Sequence, residues 1–415
     1  MFDEKYKFTC VDRFLKYVKY DTQSDEDSTT FPSTEKQKIL SKDLAEELKK
    51  MGLKDAHLDE WGYVMATLPS NTNKKVNPIS FIAHVDTSPA VTGKDVNPVI
   101  AKNYQGGDIK LKTGGWVIKE IENPDLKNMK GFDIITTDGS TLLGADNKAG
   151  VAEIMDAVNY FLSHPELKHG PIKICFTPDE EVGRGTEKID LKKLDAKYAY
   201  TVDGSSRGEV EIETFSADAV NVTFTGKNIH PGYAKGIMVN SLKVAGAFLD
   251  SLPKDKLSPE TTEKREGYFH PTTMSGNEEK TIVKFIIRDF ETPKLNELEN
   301  ILKDLAEKAI TKFPGSKLDF EVIEQYRNMR EVLDKHPQVY EYAFEAMKNL
   351  GIEPITHPIR GGTDGSRLSF MGLPTPNIFA GEHSFHSQLE WVAVQDIEMA
   401  VKVIVEIAKV WEEKA

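Results

Sequence analysis

Acidic or histidine residues directly follow three short apolar runs in this chain, and this pattern constrains both the fold and the chemistry. The runs cover residues 79–83, 172–177 and 198–202. Amphipathic segments with helical spacing, such as 150–163, lie between them. Alternating strands and helices predict an α/β fold with a mostly parallel central sheet. Ligands of such sheets bind beyond the carboxyl ends of the strands, so we expect a functional site at that edge.

Six polar residues occupy the expected edge of the sheet. They are His84 and Asp86 after the first run, Glu180 and Glu181 after the second, Asp203 after the third, and Asp146 just before a helical segment. Two adjacent carboxylates such as Glu180 and Glu181 can take different roles, so that one binds a metal and the other transfers a proton. The pattern therefore indicates a metallohydrolase.

Each of these residues also has a purely structural explanation when it is taken alone. His84 and Asp86 match an ordinary surface pair, Asp146 matches a helix N-cap, and the remaining acids match solvated loop residues. Their coincidence at one edge, with His383 and His386 near the C-terminus, favours metal binding. Histidine and carboxylate ligands suit zinc or cobalt with open coordination positions, because a closed structural site prefers thiolates. A carboxylate shared by two cations would hold a water of lowered pKa between them.

Length and charge limit the other classes of function. A chain of 415 residues exceeds the size of one hydrophobic core, so two domains are expected. A formal net charge of -13 argues against a nucleic-acid surface. The amino terminus lacks the pattern of an export signal, and no apolar stretch reaches the roughly 20 residues that span a bilayer. We therefore expect a cytoplasmic protein without a membrane partner.

A segment with a different order of predicted strands and helices interrupts the α/β pattern. It contains predicted strands at 220–225, 281–287 and 318–323 and predicted helices at 238–251 and 294–312. One more strand near Tyr268 would complete a split βαβ sandwich, which is a ferredoxin-like domain. The α/β pattern resumes after it, which indicates an inserted domain. The predicted organisation is a first catalytic part at 1–213, an insert at 214–326 and a second catalytic part at 327–415.

Three further residues are candidates for substrate contacts. His230 lies on a Gly/Pro-rich turn, Arg288 follows the predicted strand IVKFII, and Arg360 lies in PIRGGTDGS. Arginine is suited to bidentate capture of a carboxylate. The alternative for both arginines is an ordinary surface salt bridge, and a single loop histidine often has no special role.

Together the motifs resemble those of the peptidase T family of tripeptide aminopeptidases. This family belongs to a dinuclear-zinc superfamily that also contains aminoacylases, carboxypeptidases and desuccinylases. The similar blocks cover nearly the whole chain in the family's order and read HVDTSPA, TTDGSTLLGADNKAGVAEIM, FTPDEEVG, YTVDG, HPGYAKGIMVN, FIIRDF, YRNMRE and PIRGGTDGSRLSFMGLPTPN. The resemblance implies a zinc-exopeptidase-like catalytic domain and an inserted ferredoxin-like lid, through which such proteins sometimes dimerise.

The resemblance also implies roles for individual residues. Two zinc ions per subunit, replaceable by Co²⁺ or Mn²⁺, would be held by His84, Asp146 and Asp203 on one side and by Asp146, Glu181 and His386 on the other. Glu180 would be the general base, Asp86 the partner of His84, and His230 the group that stabilises the oxyanion. His386 rather than His383 takes the family's last histidine position.

The implied activity is removal of the N-terminal residue from tripeptides. We hypothesise that Arg288 and Arg360, assisted by Asn240, clamp the terminal carboxylate at a distance that only a tripeptide spans. The alternatives are a dipeptidase or N-acyl amino acid deacylase of the same superfamily, and a non-catalytic peptide-binding protein. Glu180 argues against the last of these, because a binding protein needs no base.

Overall fold

A computed structural model describes residues 2–415 and divides the chain into two compact units. The first unit runs to Ile212 and resumes over Val332–His357 and Thr363–Ala415. The second unit comprises Glu213–Glu331 and Pro358–Gly362. Among the described residues, no helix combines the length and the apolar composition that crossing a bilayer requires.

The described chain contains both helices and strands throughout. The α-helices are α1 (Cys10–Tyr17), α2 (Gln37–Met51), α3 (Ala145–Ser163), α4 (Leu191–Leu194), α5 (Ser241–Asp250), α6 (Thr292–Thr311), α7 (Arg330–Leu333), α8 (Gln338–Asn349), α9 (Asp364–Phe370) and α10 (Val394–Glu413). The strands are β1 (His57–Leu58), β2 (Val64–Leu68), β3 (Ile79–His84), β4 (Val99–Ala101), β5 (Ile109–Lys110), β6 (Val117–Ile118), β7 (Ile134–Thr136), β8 (Ile172–Thr177), β9 (Tyr198–Gly204), β10 (Val210–Glu211), β11 (Ser216–Thr225), β12 (Tyr268–Gly276), β13 (Lys280–Asp289), β14 (Lys317–Tyr326), β15 (Asn377–Phe379), β16 (Glu382–His383) and β17 (Trp391–Ala393).

The first unit is built on a mixed sheet of seven strands. The strand order is β1-β2-β8-β3-β9-β15-β10. The four central strands β8, β3, β9 and β15 are parallel, whereas the pairs at both edges are antiparallel. All six residues of β3 are buried, as expected for a parallel strand covered on both faces. The predicted α/β fold with a mostly parallel central sheet is therefore confirmed at the centre of the sheet.

Two long helices and a smaller sheet complete the first unit. Helix α3 packs on β3 and β9, and α10 packs against α3 and α8. The small antiparallel sheet has the order β16-β17-β7-β4. Its pairing of β16 with β17 holds residues 382–383 beside the strand that leads into α10. Helix α3 and the short strand β16 lie beside each other.

The second unit is a four-stranded antiparallel sheet with two helices on one face. The strand order is β12-β13-β11-β14, and the elements follow each other as βαββαβ, which is the ferredoxin-like arrangement. Helices α5 and α6 both pack on β11 and β13. Alternate residues of the two central strands enter the core, as the period of two in a strand requires; they are Val220, Val222 and Phe224 in β11 and Val283, Phe285 and Ile287 in β13.

The boundaries of the second unit differ from those expected from the sequence. It comprises Glu213–Glu331 and Pro358–Gly362 rather than a single insert at 214–326. The first extension is tied to the unit by Asn328, whose Nδ2 donates to the carbonyl oxygen of Phe290. The second is tied to it because the backbone N–H of Ile359 donates to the carbonyl oxygen of Glu213. Both ties are long-range hydrogen bonds, which leave no periodic signal in the sequence.

Candidate metal centre

The carboxyl ends of three parallel strands bring the predicted polar residues together. His84 is the last residue of β3, and Asp203 lies near the end of its neighbour β9. Glu180 and Glu181 follow β8 on the other side of β3. Asp146 joins them from the first turn of α3. The edge predicted from the sequence is therefore where these side chains lie.

The imidazole of His84 faces two carboxylates. Its Nε2 lies 2.8 Å from Asp146 Oδ1 and 3.4 Å from Asp203 Oδ1. Its Nδ1 lies 3.1 Å from the backbone carbonyl oxygen of Asp86, which can only accept a hydrogen bond. The Nδ1 therefore carries a proton, so that in the neutral ring the lone pair of Nε2 points at the carboxylates.

Asp146 connects two histidines through its two oxygens. Oδ1 is the atom that His84 contacts, and Oδ2 lies 3.1 Å from Nε2 of His386. The same Nε2 of His386 lies 2.7 Å from Oε2 of Glu181. One carboxylate therefore faces a His84/Asp203 side with one oxygen and a His386/Glu181 side with the other. This arrangement is suited to two cations that share a carboxylate.

Asp86 fixes the turn that carries the paired glutamates. Its carboxylate is fully buried, and its Oδ1 and Oδ2 accept hydrogen bonds from the backbone N–H groups of Glu180 (3.1 Å) and Glu181 (3.2 Å). Its Oδ1 also lies 3.3 Å from Nδ1 of His84. Asp86 thus links the orientation of the imidazole to the position of both glutamates.

Unpartnered oxygens show that the donor set fits a metal. Asp203 Oδ1 and Glu181 Oε1 are buried without a hydrogen-bond partner among residues 2–415. Buried carboxylates normally find donors, so such atoms call for a cation. Two groups have their ligand atoms within 4.8 Å of one another, namely His84, Asp146 and Glu181, and Asp146, Asp203 and Glu382. Imidazole nitrogen with carboxylate oxygen is a donor set that zinc accepts.

The electrostatics of the cluster reflect its excess of acids. Burial raises the pKa of Glu181 to about 8, and the charge of Asp146 adds to the effect. Burial and the neighbouring Asp364 raise the pKa of Glu180 well above its ordinary value. Hydrogen bonds to Asp146 and Glu181 raise the pKa of His386 to about 10. Positive charge at this site is therefore strongly favoured.

The pKa of Asp146 is shifted in the opposite direction from those of Glu180 and Glu181. Burial opposes its ionisation, but the hydrogen bonds from His386 and His84 outweigh burial and hold the pKa of its carboxyl below the ordinary value. Asp146 is therefore the acid of the cluster that keeps its negative charge most readily, as a carboxylate shared between two cations must.

The structure places His386, and not His383, against the acidic cluster. His383 stacks on Trp391 with ring centroids 3.9 Å apart, and its Nδ1 lies 3.5 Å from Ser205 Oγ and 3.7 Å from Asp125 Oδ2. Burial lowers the pKa of His383 to about 4. His383 is therefore a neutral ring packed in the core, whereas His386 contacts Asp146 and Glu181.

Two of the predicted residues lie on a turn and a helix start of the second unit. His230 is exposed, and its Nδ1 accepts a hydrogen bond from the backbone N–H of Gly232 at 3.1 Å. Asn240 is the N-cap of α5, where its side-chain oxygen accepts from the backbone N–H of Leu242 at 2.9 Å. The local role of Asn240 is therefore helix capping.

Both predicted arginines also lie in the second unit. Arg360 donates from Nη1 to the carbonyl oxygens of Lys264 and Glu266, and from Nη2 to Thr262. Its guanidinium also lies over the rings of Phe215 and Tyr268. Its two terminal nitrogens are therefore engaged in holding the chain.

Arg288 is engaged less completely than Arg360. Among the described residues, it donates through Nη1 alone, to the carbonyl oxygens of Ile287 at 3.0 Å and Asp218 at 3.4 Å. Its guanidinium lies 5.3 Å from the centre of the Tyr326 ring. The fork formed by Nε and Nη2 of Arg288 is therefore left for a further acceptor.

Three acids near the cluster were missed from the sequence. The buried carboxylate of Glu390 accepts from the backbone N–H groups of Leu143, Gly144 and Asp146, and so fixes the turn that presents Asp146. Asp364 and Glu382 are the others, and burial raises the pKa of Asp364 to about 7. The sequence gives a partial signal only for Asp364, which follows Thr363 at a helix start.

Comparisons with known proteins agree with this geometry. Residues 134–410 match the model of a protein family described as "Peptidase family M20/M25/M40". Proteins named peptidase T from Geobacillus sp. (strain WCH70) and Bacillus subtilis (strain 168) are each 50% identical over 406 residues, covering 98% of this chain and 99% of theirs.

Solved structures give the same fold. The aminopeptidase PepT from Bacillus cereus ATCC 10987 superposes with a TM-score of 0.73 at 22% identity and covers 97% of this chain and 98% of its own. The YXEP protein of Bacillus subtilis, described as a dinuclear metal binding peptidase from the M20 family, has a TM-score of 0.65 at 13% identity, with 98% of both chains covered.

Proposed function

Because the chain belongs to the peptidase family M20/M25/M40, we propose that it is a zinc-dependent aminopeptidase that removes the N-terminal residue from tripeptides. The relatives named peptidase T, which align over nearly the whole chain, support this substrate class. The reaction is hydrolysis of the first peptide bond, with water as the co-substrate.

The observation that carries the proposal is the position of Asp146 between two histidines. Its Oδ1 faces His84 and its Oδ2 faces His386. In the proposed site, His84, Asp146 and Asp203 would hold one zinc, and Asp146, Glu181 and His386 would hold a second. Two zinc ions in such a site supply a water of lowered pKa and polarise the scissile carbonyl.

Glu180 is the proposed general base. Its backbone N–H is held by Asp86, so its position beside Glu181 is fixed. Burial raises the pKa of its carboxyl, which increases its ability to accept a proton from the attacking water. The protonated Glu180 then gives that proton to the nitrogen of the leaving amine, which completes the cleavage.

His230 is the proposed donor to the oxyanion. Because its Nδ1 accepts a hydrogen bond from Gly232, the proton of the neutral ring resides on Nε2. A proton on Nε2 is available for donation to a developing negative oxygen. Loss of one such donor typically lowers turnover by about 10²–10³.

Arg288 and Arg360 are the proposed carboxylate clamp that restricts substrate length, with Asn240 assisting. Arg288 contributes the larger share, because its Nε and Nη2 form a fork suited to both oxygens of a carboxylate. Arg360 contributes through Nε, since its terminal nitrogens are bonded to Thr262, Lys264 and Glu266.

The test is release of the N-terminal residue from alanine peptides by metal-free protein, with and without added zinc. Ala-Ala-Ala is compared with Ala-Ala, Ala-Ala-Ala-Ala and N-acetylated Ala-Ala-Ala. The expected result is zinc-dependent cleavage confined to the unblocked tripeptide.

Other outcomes separate the competing functions. Cleavage of Ala-Ala in preference to the tripeptide would replace the tripeptidase proposal with a dipeptidase, and hydrolysis of N-acyl amino acids would replace it with a deacylase. Binding of tripeptides without any cleavage in the presence of zinc would contradict an enzymatic role.

A further inference from the structure

Glu382 is a buried carboxylate that has no hydrogen-bond partner in the part of the chain that the structure describes. It lies in the short strand β16 and is 0% exposed. Neither Oε1 nor Oε2 has a hydrogen-bond partner among residues 2–415. An ionised carboxylate offers about four acceptor sites, and burial of such a group without donors is costly. The surroundings of Glu382 must therefore offer either a proton or a cation.

The side chain of Glu382 is directed into the acidic cluster. One of its oxygens lies in a group with an oxygen of Asp146 and an oxygen of Asp203, all within 4.8 Å of one another. This group shares Asp146 with the separate group that contains His84 and Glu181. A carboxylate oxygen of Glu382 therefore lies close to both Asp146 and Asp203.

The backbone holds Glu382 in this position. Its strand pairs with β17, where Glu382 is opposite Val392. Its carbonyl oxygen accepts a hydrogen bond from Ser205 Oγ at 2.8 Å, and Ser205 is only two residues beyond Asp203. This hydrogen bond holds the backbone of residue 382 beside the segment that carries Asp203.

The charged groups around Glu382 are mostly acidic. Its acidic neighbours are Asp146, Asp203 and Glu153, and His84 partly offsets them. The nearby buried Asp396 has an arginine partner, since Arg207 Nη2 lies 2.5 Å from its Oδ1. Glu382 has no such arginine or lysine partner among the described residues.

We propose that Glu382 is a further metal ligand, which joins His84, Asp146 and Asp203 around one of the two metal positions. This assignment rests on the proposed metal centre. The position would then have one imidazole nitrogen and three carboxylates, whereas the His386 side has one imidazole and two carboxylates. Carboxylate oxygens suit Mn²⁺ and a higher coordination number, while zinc is satisfied with fewer ligands. The two positions therefore differ in metal preference, and the Glu382 side is the one that retains Mn²⁺.

The test is titration of the metal-free full chain with Mn²⁺, with bound and free ion measured by electron paramagnetic resonance. Wild type is compared with Glu382→Gln, which keeps the shape of the side chain and removes the charge. The matched control is Glu153→Gln. Among the described residues, Glu153 is also fully buried with both oxygens unpartnered, but it belongs to neither candidate metal group. A parallel titration with zinc, in competition with a chromophoric chelator, measures the zinc affinity of the same two positions.

We expect Glu382→Gln to lower the Mn²⁺ affinity of only one of the two metal positions. Glu382→Gln should weaken the tighter Mn²⁺ position by about 10–100-fold, the range seen when groups around a metal are changed, and leave the other position unaltered. The zinc affinity should fall less than the Mn²⁺ affinity. Glu153→Gln should bind both metals as wild type does.

Several results would overturn the assignment. Wild-type Mn²⁺ binding by Glu382→Gln would show that Glu382 is a buried neutral acid, and an equal loss in Glu153→Gln would show a general charge effect. If Glu382→Gln does not fold, Glu382→Asp decides, because a shortened carboxylate must alter the Mn²⁺ spectrum if it is a ligand.

The same titration separates this inference from the proposed function. Wild type that binds neither Mn²⁺ nor zinc would reject the metal centre itself. Wild type that binds two zinc ions and cleaves the tripeptide, with Glu382→Gln indistinguishable in metal binding, would reject the role of Glu382 alone.

Discussion

Two buried acids of the second unit are paired with arginine, whereas several acids of the first unit have buried oxygens without a hydrogen-bond partner among the described residues. In the second unit, Arg265 contacts both oxygens of Glu213 at 2.6 and 2.8 Å, and Arg327 Nη1 lies 2.8 Å from Asp218 Oδ1. In the first unit, Asp203 and Glu382 each have a buried oxygen without a hydrogen-bond partner among the described residues.

The difference distinguishes charged residues that stabilise the fold from charged residues that bind a metal or take part in catalysis. A buried ion pair is satisfied within the protein, and removal of one member leaves the other uncompensated. A cluster of unpartnered acids is instead unfavourable until a cation binds, and such clusters are typical of functional sites. We therefore expect substitution of the unpartnered acids of the first unit to affect activity and metal binding, and substitution of the arginines that pair with buried acids in the second unit to affect stability.

The largest expected effect is that of Glu180→Gln on turnover. Loss of a general base typically lowers the rate by about 10²–10⁴, and we expect kcat for Ala-Ala-Ala to fall in this range. Burial already disfavours the charge of Glu180, so its removal should not lower the melting temperature. The measurements are kcat, the zinc content and thermal unfolding of both proteins.

The zinc content is the control for this prediction. Glu180→Gln should retain as much zinc as wild type, because Glu180 is not one of the proposed ligands. Turnover near the wild-type rate would contradict the role of Glu180, and loss of zinc would place it among the ligands instead.

The second prediction concerns Arg327→Ala in the second unit. The side chain of Asp218 is 3% exposed and Arg327 is 16% exposed, so the substitution leaves a buried carboxylate unpaired. We expect the free energy of unfolding of this unit to fall by about 3–5 kcal/mol. Native-state hydrogen exchange of β11, which carries Asp218, measures this change directly.

A surface pair provides the matched control for Arg327→Ala. Lys294 and Glu291 form an exposed pair at 2.6 Å in the same unit, and Lys294→Ala should cost only about 0–1 kcal/mol. Equal effects of the two substitutions would show that burial of the Asp218 pair adds nothing, which would remove the basis of the comparison between the units.

The third prediction concerns zinc and the stability of each unit. Zinc at about 100 to 1,000 times its dissociation constant should stabilise the folded first unit by about 2.7–4.1 kcal/mol. Hydrogen exchange should slow in the turns that carry Asp146, Glu181 and Asp203, while helix α6 should exchange as before. Equal protection of α6 would contradict a metal centre confined to the first unit.

Much of the fold and of the site follows from local pattern. Residues 172–177 were predicted as a strand and form β8 with the same bounds, because a strand buried on both faces is a continuous apolar run. The polar residues at the ends of β3, β8 and β9 were predicted to lie together for a geometric reason, since parallel strands end at one edge.

The missed residues lie where only tertiary structure brings them into place. Glu382 belongs to a two-residue strand that exists because β17 pairs with it, so no periodic signal precedes it. Glu390 holds the backbone of Asp146 across more than 240 positions of sequence. Likewise, the sequence offered only a carboxylate clamp or a surface salt bridge for Arg360, and its bonds to Thr262, Lys264 and Glu266 arise only from the folding of the second unit.

The smallest expected effect is on KM, and it should differ between substitutions of the two arginines proposed as the carboxylate clamp. Arg288→Lys removes the Nε and Nη2 fork, and we expect KM for Ala-Ala-Ala to rise about tenfold, which corresponds to a charged hydrogen bond of about 1.5 kcal/mol. Arg360→Lys should raise KM less, because only Nε of Arg360 is not already bonded within the unit. KM for amidated Ala-Ala-Ala should change little in either variant.

The amidated peptide decides whether either arginine reads the carboxylate. For Arg360→Ala, KM should rise more for the free tripeptide than for its amide, and hydrogen exchange of residues 262–266 should accelerate because their carbonyl groups lose a donor. An equal rise in KM for the free and amidated peptides in both Arg288→Lys and Arg360→Ala would reject the clamp and assign both arginines to structure alone. In that case both arginines would serve stability through their bonds to backbone carbonyl groups, and the restriction on substrate length would have to arise from other residues.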